Sequence, residues 1–553
     1  VPRGAAALAL LLIVGCLFNL RMKPDARHDV ELQLDAAFNY RMTYELVKHG
    51  AVPALDTLST YPEGKPVTAL LPTGLYSACA AFSKVLNLFT SIPLKDVVLM
   101  FCALCGALLG IPIYFISLEL YGSRPIALVS AALAGMIPVA IERTLCYWYR
   151  DEVLAVPILF FSLLFFLRMF GPVGERSALV NGSISMALLV LAFYVWRLCI
   201  LFLVAYAIAL VYLAMRSAMD RRKVAMAGGL LLCVIALLFL FLPGFGRSSQ
   251  HSNYGGFPQA VWEIGLNRLG ITTPFSGFTR LVSDNMELFS AGPRDLTSRN
   301  NLSWSLGFPL VFVAMSFVRR ERSAPRHLVF AFVVLFGLLT VLVFRNVVFL
   351  APLVAVTAGE SLAFLRDPAR GEKARYAMLA VSVVLITKTG MDGYRMATVW
   401  HRDARLGKSL VAVLQMIDDI APKDAVVSCN WPDGYMVQSY SGRATLTDGL
   451  FESGEIVSRI LEESEAYYST DEDRLWNYCV RHGAAYLLVP ANRTWSYADQ
   501  AGLPYEKYFD KGGATEAGKA TVLYRMIHEP ETLSHFKSLY HNPVYTLYEV
   551  LAR

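Results

Sequence analysis

The chain has 553 residues, 55% of them hydrophobic and 17% charged, with a mean hydropathy of +0.46. That is too apolar for an ordinary water-soluble protein and too long for one simple core, so the composition places the chain in a membrane. The net charge is a modest +6, and Lys and Arg gather in short clusters between hydrophobic runs rather than in a basic tract interleaved with aromatics, which argues against nucleic acid.

The opening "VPRG" resembles the remnant of a protease-cleavage site and carries no inference. Crossing about 30 Å of hydrocarbon takes roughly 20 residues per helix. Runs of that kind lie near residues 4–20, 95–120, 124–142, 152–170, 178–196, 198–215, 223–243, 305–318, 326–344, 346–365 and 374–391. They predict a polytopic α-helical membrane domain over residues 1–395 with about 11 transmembrane helices. The stretch 68–89 carries Pro72, Gly74, Ser77, Ser83 and Lys84 and reads as a helix lying against the bundle. Leaving it out of the count gathers Arg124, Arg168, the Arg221–Lys223 cluster, Arg319–Arg326 and Arg366–Arg375 on one side, the cytoplasm. The opposite face then receives outer loops 21–94, 142–152 and 244–304, and everything after about residue 392.

From residue 396 the pattern changes to buried-strand runs, "AVVSCNW" and "AAYLLVP", and amphipathic helical runs, "SGEIVSRILEESEAYY" and "DEDRLWNYCVRHG", with "ATVLYRMI" and "VYTLYEVL" closing the chain. Residues 396–553 are therefore expected to form a soluble mixed α/β domain on the extracytoplasmic side. No internal repeat is visible, and charge concentrates at one membrane face rather than along a mid-membrane path; both weaken a transporter reading. Cys102 and Cys105 form a C-x-x-C inside a span, where a thiol serves as a small hydrophobe. Spacing leaves open whether Cys429 and Cys479 pair. Gly-rich phosphate loops, zinc-type Cys/His spacing and Ser/His/Asp signatures are absent.

Four outer-face clusters place charge beside apolar spans: Asp35 with Arg41, Glu45, Lys48 and His49; Arg150, Asp151 and Glu152; Asp284 and Glu287; and Arg345. Any one alone also reads as an interfacial charge reaching water. Arg345 differs, because it sits in a very short turn between two apolar runs, where a guanidinium needs an anionic partner. Carboxylates from three loops, converging with one Arg, are what a divalent cation holding a phosphate or pyrophosphate requires.

The motifs around these residues are specific. "LDAAFNYRMTYELVKHG" followed by "TLSTYPEGKPV" resembles the first outer loop of the catalytic-subunit family of oligosaccharyltransferases, with its D-x-x-F-N-Y-R helix and W/Y-P-x-G-x-P-x-G element. "ERTLCYWYRDEVLAVPILFF" is similar to that family's D-x-D/E loop, "VFRNVVFLAPLVAVTAG" to its Arg-containing helix, and "NWPDGYMVQSYSGRATLTDG" to its WWDYG region and the R-x-T-L-x-D segment after it. One pair of spans before the large outer loop is missing relative to the family.

The resemblance implies a single-subunit, prokaryotic-type GT-C membrane glycosyltransferase of the inner membrane, with its active site on the periplasmic side. It would move a glycan from a polyprenyl-pyrophosphate carrier to an acceptor polypeptide, usually at an asparagine in N-x-S/T, working alone as a monomer. It further implies Mn²⁺ or Mg²⁺ on Asp35, Asp151, Glu152 and Asp284, with Glu287 the alternative to Asp284. Asp35 and Asp284 face the acceptor, Arg345 steadies the departing pyrophosphate, and Trp431, Asp433, Gly434 and Tyr435 bind the acceptor. Arg41, Glu45, Lys48 and His49 are expected as a solvated flank.

Two departures stand out. The D-x-D/E motif reads R-D-E, with Arg150 in the first acidic position, and WWDYG reads N-W-P-D-G, with Asn430 for the first Trp and Pro432 for the Asp. A guanidinium cannot ligate a cation, so either Asp151 takes the ligand role after a small helical adjustment or the metal site is altered, weakened or lost. These departures keep a second reading open: a GT-C transferase of the same ancestry with a non-sequon acceptor or a polyprenyl-monophosphate donor.

Overall fold

A computed structural model describes residues 2–23, 31–215, 221–241, 302–318, 323–367, 370–399, 408–449, 454–491, 494–510 and 513–552, and a few positions between 259 and 279. The chain divides into two compact units, the first of residues 1–30, 72–245 and 290–404, the second of residues 31–71, 246–289 and 405–553.

Among the described residues of the first unit, eight helices are long and apolar enough to cross a membrane: Arg3–Met22, Leu94–Tyr121, Asp151–Met169, Glu175–Val195, Arg197–Ala214, Ala324–Leu342, Phe344–Leu365 and Glu372–Thr398. The expected count of about 11 is therefore not reproduced. The run at 124–142 breaks, because Ile137 precedes Pro138 and adopts an extended conformation (φ −63°, ψ 126°), leaving the 11-residue helix Arg124–Ala134 and the short Pro138–Glu142. The run at 305–318 is a 3₁₀ turn, Ser303–Leu306, leading into a 12-residue helix, Gly307–Val318. The run at 223–243 corresponds to the 21-residue helix Arg221–Phe241, which is not among the eight. Residues 68–89 hold the end of a turn at Val67–Leu70 and then the 13-residue helix Gly74–Leu86, which packs on Leu94–Leu108 and Glu175–Val195 and is not among the eight.

The helices of this unit join by packing and by hydrogen bonds that apolar surroundings strengthen. Glu175–Val195 returns antiparallel along Asp151–Met169, and Ser162 and Ser185 each donate to the other's carbonyl at 2.8 Å, with the Tyr206 hydroxyl 2.8 Å from Ser162. The wholly buried Arg21 donates to Thr144 Oγ1 (2.7 Å) and to the carbonyls of Leu17 (3.1 Å) and Gly135 (3.3 Å), so its charge is satisfied by polar groups rather than by an acid. The same break occurs twice. Trp196 and Val343 turn extended (φ −150° and −139°) and lead into 3₁₀ turns, Arg197–Cys199 and Phe344–Asn346, before the next span starts.

The second unit is built on a five-stranded sheet of β1 (Val426–Cys429), β2 (Ala444–Thr445), β3 (Tyr486–Pro490), β4 (Phe536–His541) and β5 (Tyr545–Val550), in the order β2-β1-β3-β5-β4. β1 pairs in parallel with β2 and β3, while β5 is antiparallel to β3 and β4. Alternate residues enter opposite faces, as the two-residue strand period demands. Val426, Leu487, Val489 and Tyr548 pack with the helices Gly454–Tyr467 and Glu472–Arg481, while Val427, Cys429, Leu488 and Leu547 pack with Lys408–Ile420. Hydropathy assigns loop 21–94 to the membrane part, but residues 31–71 fold into this unit. Tyr61 N–H donates to Thr445 O (3.1 Å) and Thr445 N–H to Leu58 O (2.8 Å), so the loop covers the edge left open at β2.

Candidate functional site

In the second unit Asp35 opens the helix Asp35–His49. The preceding Leu34 holds φ 52°, a backbone region that L-residues other than Gly, Asn and Asp rarely enter. The entry is pinned by Leu34 N–H to Met436 Sδ (3.2 Å) and Tyr440 OH to Leu32 O (3.0 Å), both on the helix Trp431–Tyr440. Phe38 lies on Tyr435 with ring centres 4.9 Å apart. Asp35 Oδ1 lies 3.6 Å from where a Cβ at Gly449 would stand. Arg41 grips Asp56 through two 2.7 Å bonds and also donates to Gln438 Oε1 (2.8 Å). Gln438 Nε2 donates to Thr445 Oγ1 (2.6 Å) and Asp448 Oδ2 (3.0 Å). Asp448 also accepts from the Ser59 hydroxyl and from Lys65 Nζ (3.4 Å), which in turn reaches Tyr435 OH (3.4 Å).

The helix Trp431–Tyr440 starts from Asn430, with Pro432 in its first turn, where a missing N–H costs nothing. Trp431 packs against Leu70, Leu71, Ile456, Val457 and Ile460. Asp433 is buried and accepts from Tyr545 OH at 3.3 Å. Gly434 permits a close approach: a Cβ there would stand 2.2 Å from Thr447 O. Asn430 is 1% exposed, and neither polar atom of its side chain has a hydrogen-bond partner.

In the first unit Asp151 and Glu152 open the helix Asp151–Met169, where the helix dipole favours negative charge. Glu152 is buried; its Oε1 accepts from Trp148 Nε1 (3.0 Å) and Arg143 Nη1 (3.5 Å), and its Oε2 is buried with no hydrogen-bond partner. The guanidinium groups of Arg143 and Arg150 lie over the Trp148 ring, 5.0 and 4.4 Å from its centre. Because Glu175–Val195 runs back along Asp151–Met169, Trp196 returns to the end where Asp151 and Glu152 start. Arg345 lies over the Trp196 ring at 5.7 Å, and that ring meets Phe349 at 5.3 Å. The first unit thus gathers Asp151, Glu152 and Arg345 at one end.

The second unit brings together Asp35, Tyr435 and Gly434 by the loop 445–449, with Trp431 and Asp433 on the same short helix. Asp284 and Glu287 lie outside the described residues. Arg41 is not part of a solvated flank, because its guanidinium is engaged by the buried Asp56. Motif reading passed over Asp56, Lys65, Gln438 and Asp448; the available signal was the charge inside "YPEGKP" and "TLTDG", short turns with apolar neighbours. Cys429 and Cys479 form no disulfide. Both are buried thiols pushed well above their ordinary range by burial.

Among the described residues no group of three or more His, Cys, Asp or Glu side chains converges as a metal site. The residues present nonetheless fit a hard divalent cation. Glu152 Oε2 is an orphaned carboxylate oxygen, with Asp151 next to it in sequence.

Residues 26–284 match the family model described as oligosaccharyl transferase STT3, N-terminal. No curated protein matches the chain in sequence. The fold is similar to the archaeal oligosaccharyltransferase AglB from Archaeoglobus fulgidus, solved with an inhibitory peptide and a dolichol-phosphate. The TM-score is 0.74 at 14% identity, over 96% of this chain and 79% of that one. Another structure of the A. fulgidus enzyme, in complex with Zn and sulfate, has a TM-score of 0.68 at 13% identity, over 96% of this chain and 78% of that one. ArnT from Cupriavidus metallidurans bound to undecaprenyl phosphate follows, with a TM-score of 0.55 at 11% identity, over 100% of this chain and 99% of that one.

Proposed function

Because residues 26–284 match the model of the STT3 N-terminal region and the fold is similar to those of oligosaccharyltransferase AglB and ArnT, we propose that the chain is an oligosaccharyltransferase of the GT-C type that moves a glycan from a polyprenyl-pyrophosphate carrier to an asparagine of an acceptor polypeptide. The observation that carries this reading is the seating of Asp35 beside Gly449 and the helix Trp431–Tyr440, within one unit. An amide nitrogen is a poor nucleophile because its lone pair is delocalised, so an acceptor asparagine must be held and oriented. The Asp35 carboxylate accepts from the acceptor amide N–H and aims the nitrogen, while Trp431, Asp433, Gly434 and Tyr435 bind the acceptor chain. In the first unit Arg345 offers a fork of donors to the pyrophosphate as negative charge develops on it. Asp151 and Glu152 would hold Mn²⁺ or Mg²⁺, and such an ion, when bound, would supply Lewis-acid neutralisation of phosphate charge. The distribution of Lys and Arg supports an active face outside the cytoplasm, on the periplasmic side of an inner membrane, with the protein acting as a monomer.

A second reading has its own support. Asn430 stands, buried and unpartnered, where the family carries an indole, and Pro432 replaces its acid. That chemistry suits an acceptor other than N-x-S/T, or a polyprenyl-monophosphate donor.

One assay separates the two. Purified protein is given a polyprenyl-pyrophosphate-linked glycan and a fluorescent peptide carrying N-x-T, with and without Mn²⁺. Metal-dependent glycopeptide is the expected product, and Asp35→Ala abolishes it. Donor consumed without glycopeptide favours the second reading, and activity surviving in Asp35→Ala would sink the role given to that carboxylate.

A further inference from the structure

We propose that Lys65 and Asp448 are positioning residues: a buried ion pair that holds the Asp35 carboxylate in register with the helix Trp431–Tyr440. The inference rests on the acceptor role given to Asp35 above. Lys65 is 1% exposed and Asp448 not at all, and the pair is 3.4 Å apart. Burying two charges forfeits their hydration and offsets most of their attraction, so a pair of this kind is a weak device for stability alone. It does something that apolar side chains of the same volume do not, which is to fix direction.

The contacts converge on Asp448 from both sides. Lys65 Nζ reaches Asp448 Oδ1 and Tyr435 OH, each at 3.4 Å, and sits over the rings of Phe38 (5.0 Å) and Tyr435 (5.4 Å). Phe38 is one helical turn after Asp35 on the same helix. The other oxygen of Asp448 accepts from Ser59 and from Gln438 at 3.0 Å, and Gln438 binds Arg41, which lies further along the Asp35 helix. That helix is therefore linked to Asp448 twice, through Phe38 and Lys65 and through Arg41 and Gln438, in addition to the Arg41–Asp56 pair and the Leu34–Met436 contact that anchor it separately. Asp448 is followed by Gly449, the residue beside which Asp35 Oδ1 sits. Loss of the pair loosens the two links to Asp448 while the Arg41–Asp56 pair and the Leu34–Met436 contact keep the helix in place, so Asp35 shifts relative to Gly449, and a displacement of about 1 Å at a reacting group costs on the order of 100-fold in rate.

The test compares the full-length wild type, Asp448→Asn, the double variant Lys65→Met/Asp448→Leu and Asp35→Ala. Each is measured by thermal unfolding and by kcat and KM with a polyprenyl-pyrophosphate-linked glycan, an N-x-T peptide and Mn²⁺. The double variant leaves no ion uncompensated and is expected to melt with the wild type. Its kcat is expected to fall about 10- to 100-fold, with the KM for the lipid donor unchanged. Asp448→Asn, which keeps the side-chain size, is expected to lose less. Wild-type kcat in either folded variant overturns the proposal, as does a loss of activity that only tracks the loss of folded protein. Should the double variant not fold, Asp448→Asn decides on the same readouts. Asp35→Ala separates the two levels: if it stays active the acceptor reading fails, and if it is inactive while both pair variants turn over normally, the clasp alone fails.

Discussion

Glu463 shows how a single buried group sets a pH response. Its carboxyl lies in the core of the second unit with the Ser428 hydroxyl donating to it at 2.8 Å, and burial pushes it up from its ordinary 4.5 to about 8. Between those two values the folded chain holds a proton that the unfolded chain releases, so this contribution to stability is full below about pH 4.5 and is lost as pH rises toward 8. Glu463→Gln is expected to flatten the fall in melting temperature between pH 5 and pH 8, measured by thermal unfolding in a fixed detergent; an unchanged slope would assign the dependence to other groups. Glu152 makes a prediction of a different kind. Its Oε2 is buried without a hydrogen-bond partner, and on the cation-ligand role proposed for it Glu152→Gln should weaken Mn²⁺ binding by about tenfold or more, read by electron paramagnetic resonance of the free ion without any turnover. Equal binding by variant and wild type would remove Glu152 from the ligand set. Both residues were open to sequence reading to different degrees. Glu152 is announced by its motif, whereas nothing in "RILEESEAYY" says which of its three carboxylates is buried, because helical period alone does not weigh burial against hydration.

Elements depend on close approaches that only a few residue types permit. Gly434 lies in the helix Trp431–Tyr440 where its missing Cβ lets the backbone of Thr447 and Asp448 come within touching distance. Gly434→Ala should push the helix away from that loop at a cost of about 1–3 kcal/mol, seen as a lower melting temperature together with reduced transfer activity. A neutral outcome in both would mean that the loop yields freely. Most strands and amphipathic helices of the second unit were legible, because alternation and the 3.6-residue period survive at the sheet and helix faces that become buried. The membrane spans were less so. Hydropathy sums apolar character over a window and does not see that Pro138 holds Ile137 extended, nor that the apolar run after residue 302 begins as a 3₁₀ turn. Arg345 was legible as a charge in a tight turn, while Trp196 beneath it was not, since the two lie some 150 residues apart in the chain.

The division of the whole chain follows its contacts more than its hydropathy. The second unit combines residues 31–71 with 405–553, and the first-loop segment supplies Ala37, Leu70 and Leu71 to its cores, the pairing partner at the β2 edge, and Lys65 for the buried Asp448. A fragment of residues 405–553 made alone therefore leaves the Asp448 carboxylate without the Lys65 counter-ion and exposes a sheet edge. It is expected to melt lower than the same fragment mixed with a peptide of residues 31–71; identical melting curves would show that the loop adds nothing. By itself the sequence determined the membrane class, the mixed α/β character of the C-terminal part, the resemblance to the oligosaccharyltransferase family and the identity of the charged residues, because all of these rest on composition, local period and short motifs. Only the tertiary structure decided that the first loop folds with the C-terminal part, that Arg41 is engaged rather than solvated, and that Lys65, Gln438 and Asp448 join two distant segments. The reason is that partners for buried charges are chosen by desolvation, which acts on neighbours in space and leaves no mark on spacing along the chain.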